Sequence, residues 1–235
     1  MYHSMTIGEK HTFRDFGLIP VSRPVINPPP PNLSFLEVPG MNGSLDLSET
    51  VCGAITYADR TGSFEFYVRN GRNWVNVYAE IMSYLHGKRL TVTLDDDPAH
   101  FYVGRISVNQ WKSNKNNSFL TLDYQLEPFK YEVTDITSVP WAVNCAADGL
   151  GWQVAGAMID VPTLCTIPLE GDMPSVPVFW ISQITETLTA EVNGNIYTLF
   201  DGKNRIPGLQ LSRAGTEIIL SGNARIDVYT RWGWL

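Results

Sequence analysis

The densest group of side chains that could do chemistry is the run Asp95-Asp96-Asp97-Pro98. Carboxylate oxygens are the ligands that hard cations such as Ca²⁺ and Mg²⁺ prefer. The run lacks the spaced D-x-D-x-D-G pattern and the distal glutamate of a calcium loop, and His86 and His100 do not have zinc-ligand spacing. A solvated turn that ends at the Asp-Pro step explains the run equally well, and we predict no metal site.

The candidate nucleophiles are three scattered cysteines, Cys52, Cys145 and Cys165, which show no C-x-x-C spacing. We interpret them as small apolar residues of a chain that keeps its thiols reduced. The sequence contains no G-x-S-x-G elbow, Walker loop or G-x-G-x-x-G fingerprint. A carboxylate pair for glycoside hydrolysis could still be assembled from distant strands. We predict that the chain is not an enzyme, with no catalytic residue and no cofactor.

The aromatic residues of the second half offer a different chemistry, because tryptophan and tyrosine rings can stack on sugars. The alternative is packing in a core or an interface, where a tryptophan buries a large area. We favour packing, predict no sugar site, and interpret residues 178–181 as a core strand because they show no polar alternation. The tryptophans concerned are Trp141, Trp152, Trp180, Trp232 and Trp234.

The elements that could position these side chains are mostly strands. In the first half, apolar residues alternate with polar ones over four segments, which is the period of a half-buried strand. An apolar stripe at helical spacing predicts one helix from about residue 72 to residue 86, with Gly87 as its C-terminal cap. The predicted strands are 62–69, 90–94, 101–108 and 119–126, and the stripe consists of Trp74, Val77, Tyr78, Ile81 and Leu85.

The second half is a series of short strands separated by turns. Asn193-Gly194 is the strongest short hairpin signal, and it separates apolar segments at 184–192 and 196–200. Such closely spaced strands favour an antiparallel β-sandwich. Charge falls and five of the seven tryptophans occur after about residue 135. We therefore predict two domains, 1–135 and 136–235, in a mainly β chain with one amphipathic helix.

Composition and charge exclude several classes of protein. Fifteen prolines and nineteen glycines in 235 residues argue against a long helical bundle. The net charge of −7 has the wrong sign for a general nucleic-acid binder. No apolar run approaches the roughly 20 residues that span a bilayer, so we expect no membrane partner. The first residues show no secretory signal, which predicts a chain made in the cytoplasm.

A proline-rich segment follows Arg23, and four consecutive prolines favour a stiff polyproline II conformation. It cannot be helical, because proline lacks the backbone donor that a helix needs. Two interpretations stay open, a rigid surface loop and an arm that reaches a neighbouring subunit. The residues of the candidate arm are Asn27, Pro28, Pro29, Pro30, Pro31 and Asn32.

Several segments together resemble the distal tail (Dit) proteins of long-tailed phages and prophages. The resemblance covers roughly residues 10–130 and rests on several motifs that occur in order. The second half is similar only in type, a compact β-sandwich. The motifs are F-R-D-F-G-L at 13–18, V-P-G-M-N-G-S-L-D-L at 38–47, R-T-G-S-F at 60–64, Y-L-H-G-K at 84–88, D-D-P at 96–98 and Y-V-G-R at 102–105.

The resemblance implies a structural role rather than a chemical one. Dit proteins form a hexameric ring that joins the distal end of the tail tube to the tail tip or baseplate. It implies a tail-tube-like ring domain followed by a galectin-like sandwich, in a protein located at the virion tail tip. The implied partners are five further copies of the chain, the tail-tube protein, a hub or tip protein and a receptor-binding protein, with DNA only as cargo through the lumen. Residues Asn27 to Asn32 would contact the neighbouring subunit.

Two other interpretations compete with this one. The first is a tail-tube or hub subunit of a tail-derived particle, which would have no need for the second, tryptophan-rich sandwich. The second is a module that binds cell-wall carbohydrate or hydrolyses it. That module would need exposed aromatic residues, and hydrolysis would need two carboxylates about 5–9.5 Å apart. The sequence supplies aromatic residues but no recognisable pair of acids.

Overall fold

The computed structural model describes residues 3–50, 53–68, 74–113, 118–132, 144–145, 157–159, 163–167, 171–211, 216–229 and 233–235. The chain divides into two compact units, Met1–Val133 together with Leu235, and Thr134–Trp234. The described residues are mainly in strands and contain one helix, so the predicted fold class is confirmed for them. None of their helices is long and apolar enough to cross a membrane.

A twisted antiparallel sheet forms the body of the first unit. Its strands lie in the order β2-β1-β7-β8-β9-β6-β3, and β10 pairs with the start of β8. A separate two-stranded hairpin, β4–β5, precedes the long strand β6. The bounds are β1 Met5–Ile7, β2 Lys10–His11, β3 Leu18–Pro20, β4 Phe35–Glu37, β5 Ser44–Asp46, β6 Arg60–Val68, α1 Trp74–Leu85, β7 Lys88–Leu94, β8 His100–Ser113, β9 Ser118–Leu126 and β10 Lys130–Glu132.

The central strands of this sheet bury one face and expose the other. Along β6, Phe64, Phe66 and Val68 are buried while the residues between them are exposed. Strand β9 repeats the alternation, because its even-numbered residues from 118 to 126 are all buried. A β-bulge at Asn109 shifts the register of β8, so that Trp111 returns to the inner face opposite Leu120. The alternation in the sequence therefore predicted these strands correctly.

Helix α1 packs on the buried face of the sheet. Val77, Ile81 and Leu85 are its buried residues, and their spacing of four residues places them on one side of the helix. Gly87 follows with φ of +72°, the left-handed conformation that commonly ends a helix. The predicted start at residue 72 lies outside the described residues. Trp74, expected on the buried stripe, is half exposed and contacts Trp111 at the edge of the helix.

Two antiparallel sheets enclose the core of the second unit. Their strand orders are β11-β13-β18-β15-β16 and β12-β19-β14-β17, and buried residues of both sheets form one hydrophobic cluster. The predicted turn at Asn193-Gly194 is present, with positive φ at both residues. The bounds are β11 Asn144–Cys145, β12 Ala157–Ile159, β13 Thr163–Ile167, β14 Val178–Ser182, β15 Leu188–Val192, β16 Asn195–Leu199, β17 Gly202–Asn204, β18 Thr216–Ser221, β19 Ala224–Tyr229 and β20 Gly233–Trp234.

Strand β14 differs from the expected core strand. Phe179 and Ile181 are fully buried, but Trp180 between them is 50% exposed. The cause is that β14 lies in a two-layer sandwich, so only alternate side chains face the second sheet. Trp234 is half-buried, whereas Trp141, Trp152 and Trp232 lie outside the described residues.

Candidate interaction surface

Each carboxylate of the Asp95–Asp97 run is paired with basic side chains of its own chain. The run forms the turn between β7 and β8, and the partners come from residues 3–11, from the start of the proline-rich segment, from the start of β8 and from β10. The described residues contain no group of three or more His, Cys, Asp or Glu that could hold a metal ion. The pairs are His11 with Asp95 (3.2 Å), His3 and Arg23 with Asp96 (2.5 and 2.7 Å), and His100 and Lys130 with Asp97 (2.7 and 3.0 Å).

The pairings of Asp96 and Asp97 favour the ionised forms of these two carboxylates. The hydrogen bond from Arg23, reinforced by His3, lowers the pKa of Asp96. Burial opposes ionisation of Asp97, but hydrogen bonds from His100 and Lys130 outweigh it, and the pKa of Asp97 is also lowered. The turn thus holds Arg23 by a charge-assisted hydrogen bond at the point where the proline-rich segment begins.

The six predicted interface residues lie along one extended segment that is hydrogen-bonded to its own chain. Asn27 makes three such bonds. Its N–H donates to the Tyr124 hydroxyl (3.0 Å), its side-chain amide donates to the Thr61 carbonyl (2.8 Å), and its carbonyl accepts from Arg60 (3.0 Å). The preceding residue, Ile26, is buried in the core. The start of the segment is therefore fixed to the sheet.

The far end of the segment is fixed as well. The Pro30 carbonyl accepts from Ala58 N (2.9 Å), and Asn32 N donates to the Thr56 carbonyl (2.8 Å). Prolines can only accept in this pairing, since they have no N–H, so the flanking asparagine supplies the donor. Pro29 is buried, whereas the other predicted interface residues are exposed. Their contact with a neighbouring subunit stays a prediction.

A buried arginine connects this segment to the end of the sheet. Arg60 is only 4% exposed, and its Nε donates to the Pro128 carbonyl (2.8 Å) while a second nitrogen donates to Asn27. Its guanidinium lies over the Tyr102 ring, 5.4 Å from the centroid. Burial lowers the pKa of Arg60. The sequence analysis missed this residue, although its position on the buried, even-numbered face of β6 was a usable signal.

Gly62 leaves the space that this arrangement needs. A Cβ at Gly62 would meet the Tyr124 hydroxyl and lie 2.8 Å from the side-chain nitrogen of Asn27. Tyr124 is itself held by stacking on Phe64, with ring centroids 4.6 Å apart. Any larger residue at position 62 must therefore displace the tyrosine or the asparagine. Arg60, Gly62 and Tyr124 together form what we call the arm base.

The hairpin β4–β5 lies directly beyond the proline-rich segment and is exposed along both strands. Its register pairs Phe35 with Asp46, Leu36 with Leu45 and Glu37 with Ser44. The exposed apolar residues of this stretch are unusually dense for a surface. They are Leu33, Phe35, Leu36, Val38, Met41 and Leu45. Sequence analysis used part of this stretch as a motif but predicted no strands in it.

A second apolar surface lies on the outer face of the sheet. The rings of Tyr67 of β6 and Phe119 of β9 are in tilted contact, with centroids 4.6 Å apart, and the register places Ile19 of β3 beside Tyr67. On the other side, Lys112 of β8 is opposite Phe119. Val21, just after β3, is exposed, and its N–H donates to the carbonyl of Glu65, the next outward residue of β6. We call the surface formed by Ile19, Val21, Tyr67, Phe119 and Lys112 the ledge.

Comparisons with known proteins identify the fold. No family model matches the chain, and no curated protein matches its sequence. Among solved structures, the Dit protein of phage SPP1 is similar over 100% of both chains, with a TM-score of 0.63 and 13% sequence identity. That protein is described as a paradigm of the hub adsorption apparatus in phages that infect Gram-positive bacteria. The resemblance to distal tail proteins is therefore confirmed at the level of the fold.

Proposed function

We propose that the chain is a structural component of a phage tail tip. In this role it forms a hexameric ring that joins the distal end of the tail tube to the adsorption apparatus. The observation that carries the proposal is the similarity to SPP1 Dit over the whole length of both chains. A match confined to the first unit would favour a tail-tube subunit equally well, because such a subunit does not need the second sandwich.

The two units take different parts in this proposal. The first is the ring-forming domain, which contacts the tail-tube protein and further copies of itself. The second is a galectin-like sandwich that holds hub, tip or receptor-binding proteins. The net charge of −7 suits a ring through which DNA passes without tight binding. The protein would be made in the host cytoplasm, assembled into the virion tail, and have no catalytic activity.

The exposed side of Asn27–Asn32 is proposed to contact the neighbouring subunit. The own-chain bonds of this segment support the idea, because a rigid segment loses little conformational entropy on binding. Prolines reduce that loss further, since each has a restricted φ. The segment would thus be a prefolded edge rather than a flexible strap.

A second candidate function is contact with a glycan through the second unit. Trp180 is half exposed at the centre of an outward sheet face, with Lys203 and Asp227 as its cross-strand neighbours. A ring flanked by charged side chains offers both stacking and hydrogen bonds to a sugar. Binding on a glycan array that Trp180→Ala abolishes would favour this candidate, and an array without binding would remove it.

Native mass spectrometry of the full chain, followed by negative-stain imaging, tests the connector proposal. We expect a species near six times 26.3 kDa with an open centre. The imaging is repeated with the tail-tube protein added, because the tube end could template the ring. Rings should then cap the tube ends. A chain that stays monomeric alone and never caps the tube would contradict the proposal.

A further inference from the structure

The exposed hairpin is the feature of the first unit that most needs a partner. A two-stranded ribbon in water is marginally stable unless it packs against something. Both strands of β4–β5 are exposed at every position, and Phe35 on the first strand is 57% exposed. The register places Phe35 with Glu37 and Asp46 on one face of the ribbon and Leu36 with Leu45 on the other. Exposed apolar side chains grouped on an element in this way mark interaction sites in folded proteins.

The hairpin is held in a defined place rather than trailing from the body. Its base is closed where Asn32 donates to Thr56, both through its backbone and through its side chain. Leu47 N donates to the Ser34 carbonyl, which extends the pairing of the two strands toward that base. The hairpin is therefore an ordered element that exposes its side chains.

The ledge is complementary to the hairpin in polarity and charge. The ledge contains apolar rings and one lysine, Lys112, at one end. Glu65, the next outward residue of β6, lies at the border of the ledge. The face of the hairpin that carries Phe35 also carries Glu37 and Asp46, and the sequence has no lysine, arginine or histidine between Arg23 and Arg60. The favourable orientation places the hairpin carboxylates toward Lys112 and away from Glu65.

We propose that the hairpin of one copy docks on the ledge of the next copy. The contact joins two different surfaces, so it is heterologous and can propagate around a closed ring. The partner that the hairpin contacts is thus a second copy of this chain. The inference rests on the proposed ring and specifies which surfaces form it. In this arrangement Asn27–Asn32 hold the hairpin in position for the contact, and residues 33–47 form the apolar centre of the interface.

Photo-cross-linking between isotopically distinct copies tests the contact directly. A benzophenone amino acid replaces Phe35 in unlabelled protein, which is mixed with ¹⁵N-labelled parent and irradiated. We expect cross-linked peptides that join the unlabelled hairpin to labelled segments containing Tyr67 or Phe119. Cross-links from hairpin to hairpin, or to surfaces outside the ledge, would overturn the inference.

A pair of matched variants separates the docking contact from the ring itself. Phe35→Ser removes the apolar side chain from the hairpin face that carries Glu37 and Asp46, and it should raise the dissociation constant of the assembly at least tenfold. The control, Phe200→Ser, removes a phenylalanine that is 68% exposed in the other unit and should assemble like the parent. If Phe35→Ser forms parental rings, the docking inference fails while the proposed ring stands. Cross-links to the ledge in an assembly that is not a hexamer would support the docking contact and contradict the proposed hexameric ring. A parent that neither assembles nor cross-links, both alone and with the tail-tube protein present, overturns both.

Discussion

The proline-rich segment and the hairpin are consecutive in sequence and share a lack of basic residues, yet the fold treats them in opposite ways. Asn27 and Asn32 bind the segment to strand β6 and to the residues before it. The hairpin exposes both of its strands. The hairpin has more apolar side chains than the segment, yet it is the more exposed of the two. Exposure here therefore depends on whether neighbouring elements extend far enough to cover a stretch of chain. Substitutions in the arm base should therefore affect folding, and substitutions in the hairpin should affect association.

The largest effect is expected from Gly62→Ala. The added Cβ must displace Tyr124 or Asn27, and overpacking of this kind costs about 1–3 kcal/mol. Loss of the Asn27 hydrogen bonds adds about 1 kcal/mol. Urea denaturation should show the combined loss in the free energy of unfolding. Gly43→Ala is the control in the hairpin, where a Cβ meets nothing within 4 Å and only the positive φ opposes it. A control as destabilised as Gly62→Ala would contradict the comparison.

Arg60→Met should be the next most damaging change. Methionine fills much of the volume but leaves the Asn27 and Pro128 carbonyls without their donor. Unpaired buried polar groups cost about 1–3 kcal/mol, so we expect a loss of about 2 kcal/mol in the free energy of unfolding. Arg14→Met, at an exposed position, should stay within about 0.5 kcal/mol of the parent. An Arg60 variant as stable as this control would show that Arg60 does not stabilise the arm base.

Tyr124→Phe tests the comparison more finely, because it removes a single oxygen atom. The phenylalanine keeps the stacking on Phe64 but cannot accept from Asn27 N, at a cost of about 1 kcal/mol. Hydrogen exchange should also show faster exchange of the Asn27 amide. Tyr67→Phe on the exposed ledge is the matched control, with an expected change of less than about 0.5 kcal/mol. Equal exchange at Asn27 in the parent and in Tyr124→Phe would refute the assignment of this bond.

The smallest effect concerns acid. The pKa values of Asp96 and Asp97 are lower in the folded chain than the ordinary value of 3.8. Their contribution to stability is therefore present above pH 3.8 and disappears as the pH falls through the lower folded values. Asp96→Asn and Asp97→Asn should each reduce the gain in unfolding free energy between about pH 2 and pH 5. If both variants keep the pH profile of the parent, the pairings do not contribute.

Local periodicity predicted much of the fold. The alternation along β6 and β9 and the four-residue spacing of Val77, Ile81 and Leu85 are set by neighbours in sequence, so they could be read without a structure. Trp180 shows the limit of the method. A run without polar residues does not reveal whether a second layer covers one face or both.

The candidate surface could be predicted only in part. The proline run was recognised because proline restricts the backbone wherever it occurs. Arg60 was missed because its acceptors are backbone carbonyls 33 and 68 residues away, and a carbonyl has no residue signature. The partners of Asp95–Asp97 were missed because most of them are remote in sequence; His3 and Asp96, for example, are 93 residues apart. The hairpin was missed because its strands have only three residues each, too few to show alternation.

Hydrogen–deuterium exchange of the parent chain, above and below the concentration at which it assembles, tests the central claim most directly. The account predicts that assembly slows exchange in residues 33–47 and in the ledge segments around Tyr67 and Phe119. Amides of the arm base, already bonded within the chain, should exchange at the same rate in both states. Assembly that leaves the hairpin as rapidly exchanging as in the monomer would contradict the account.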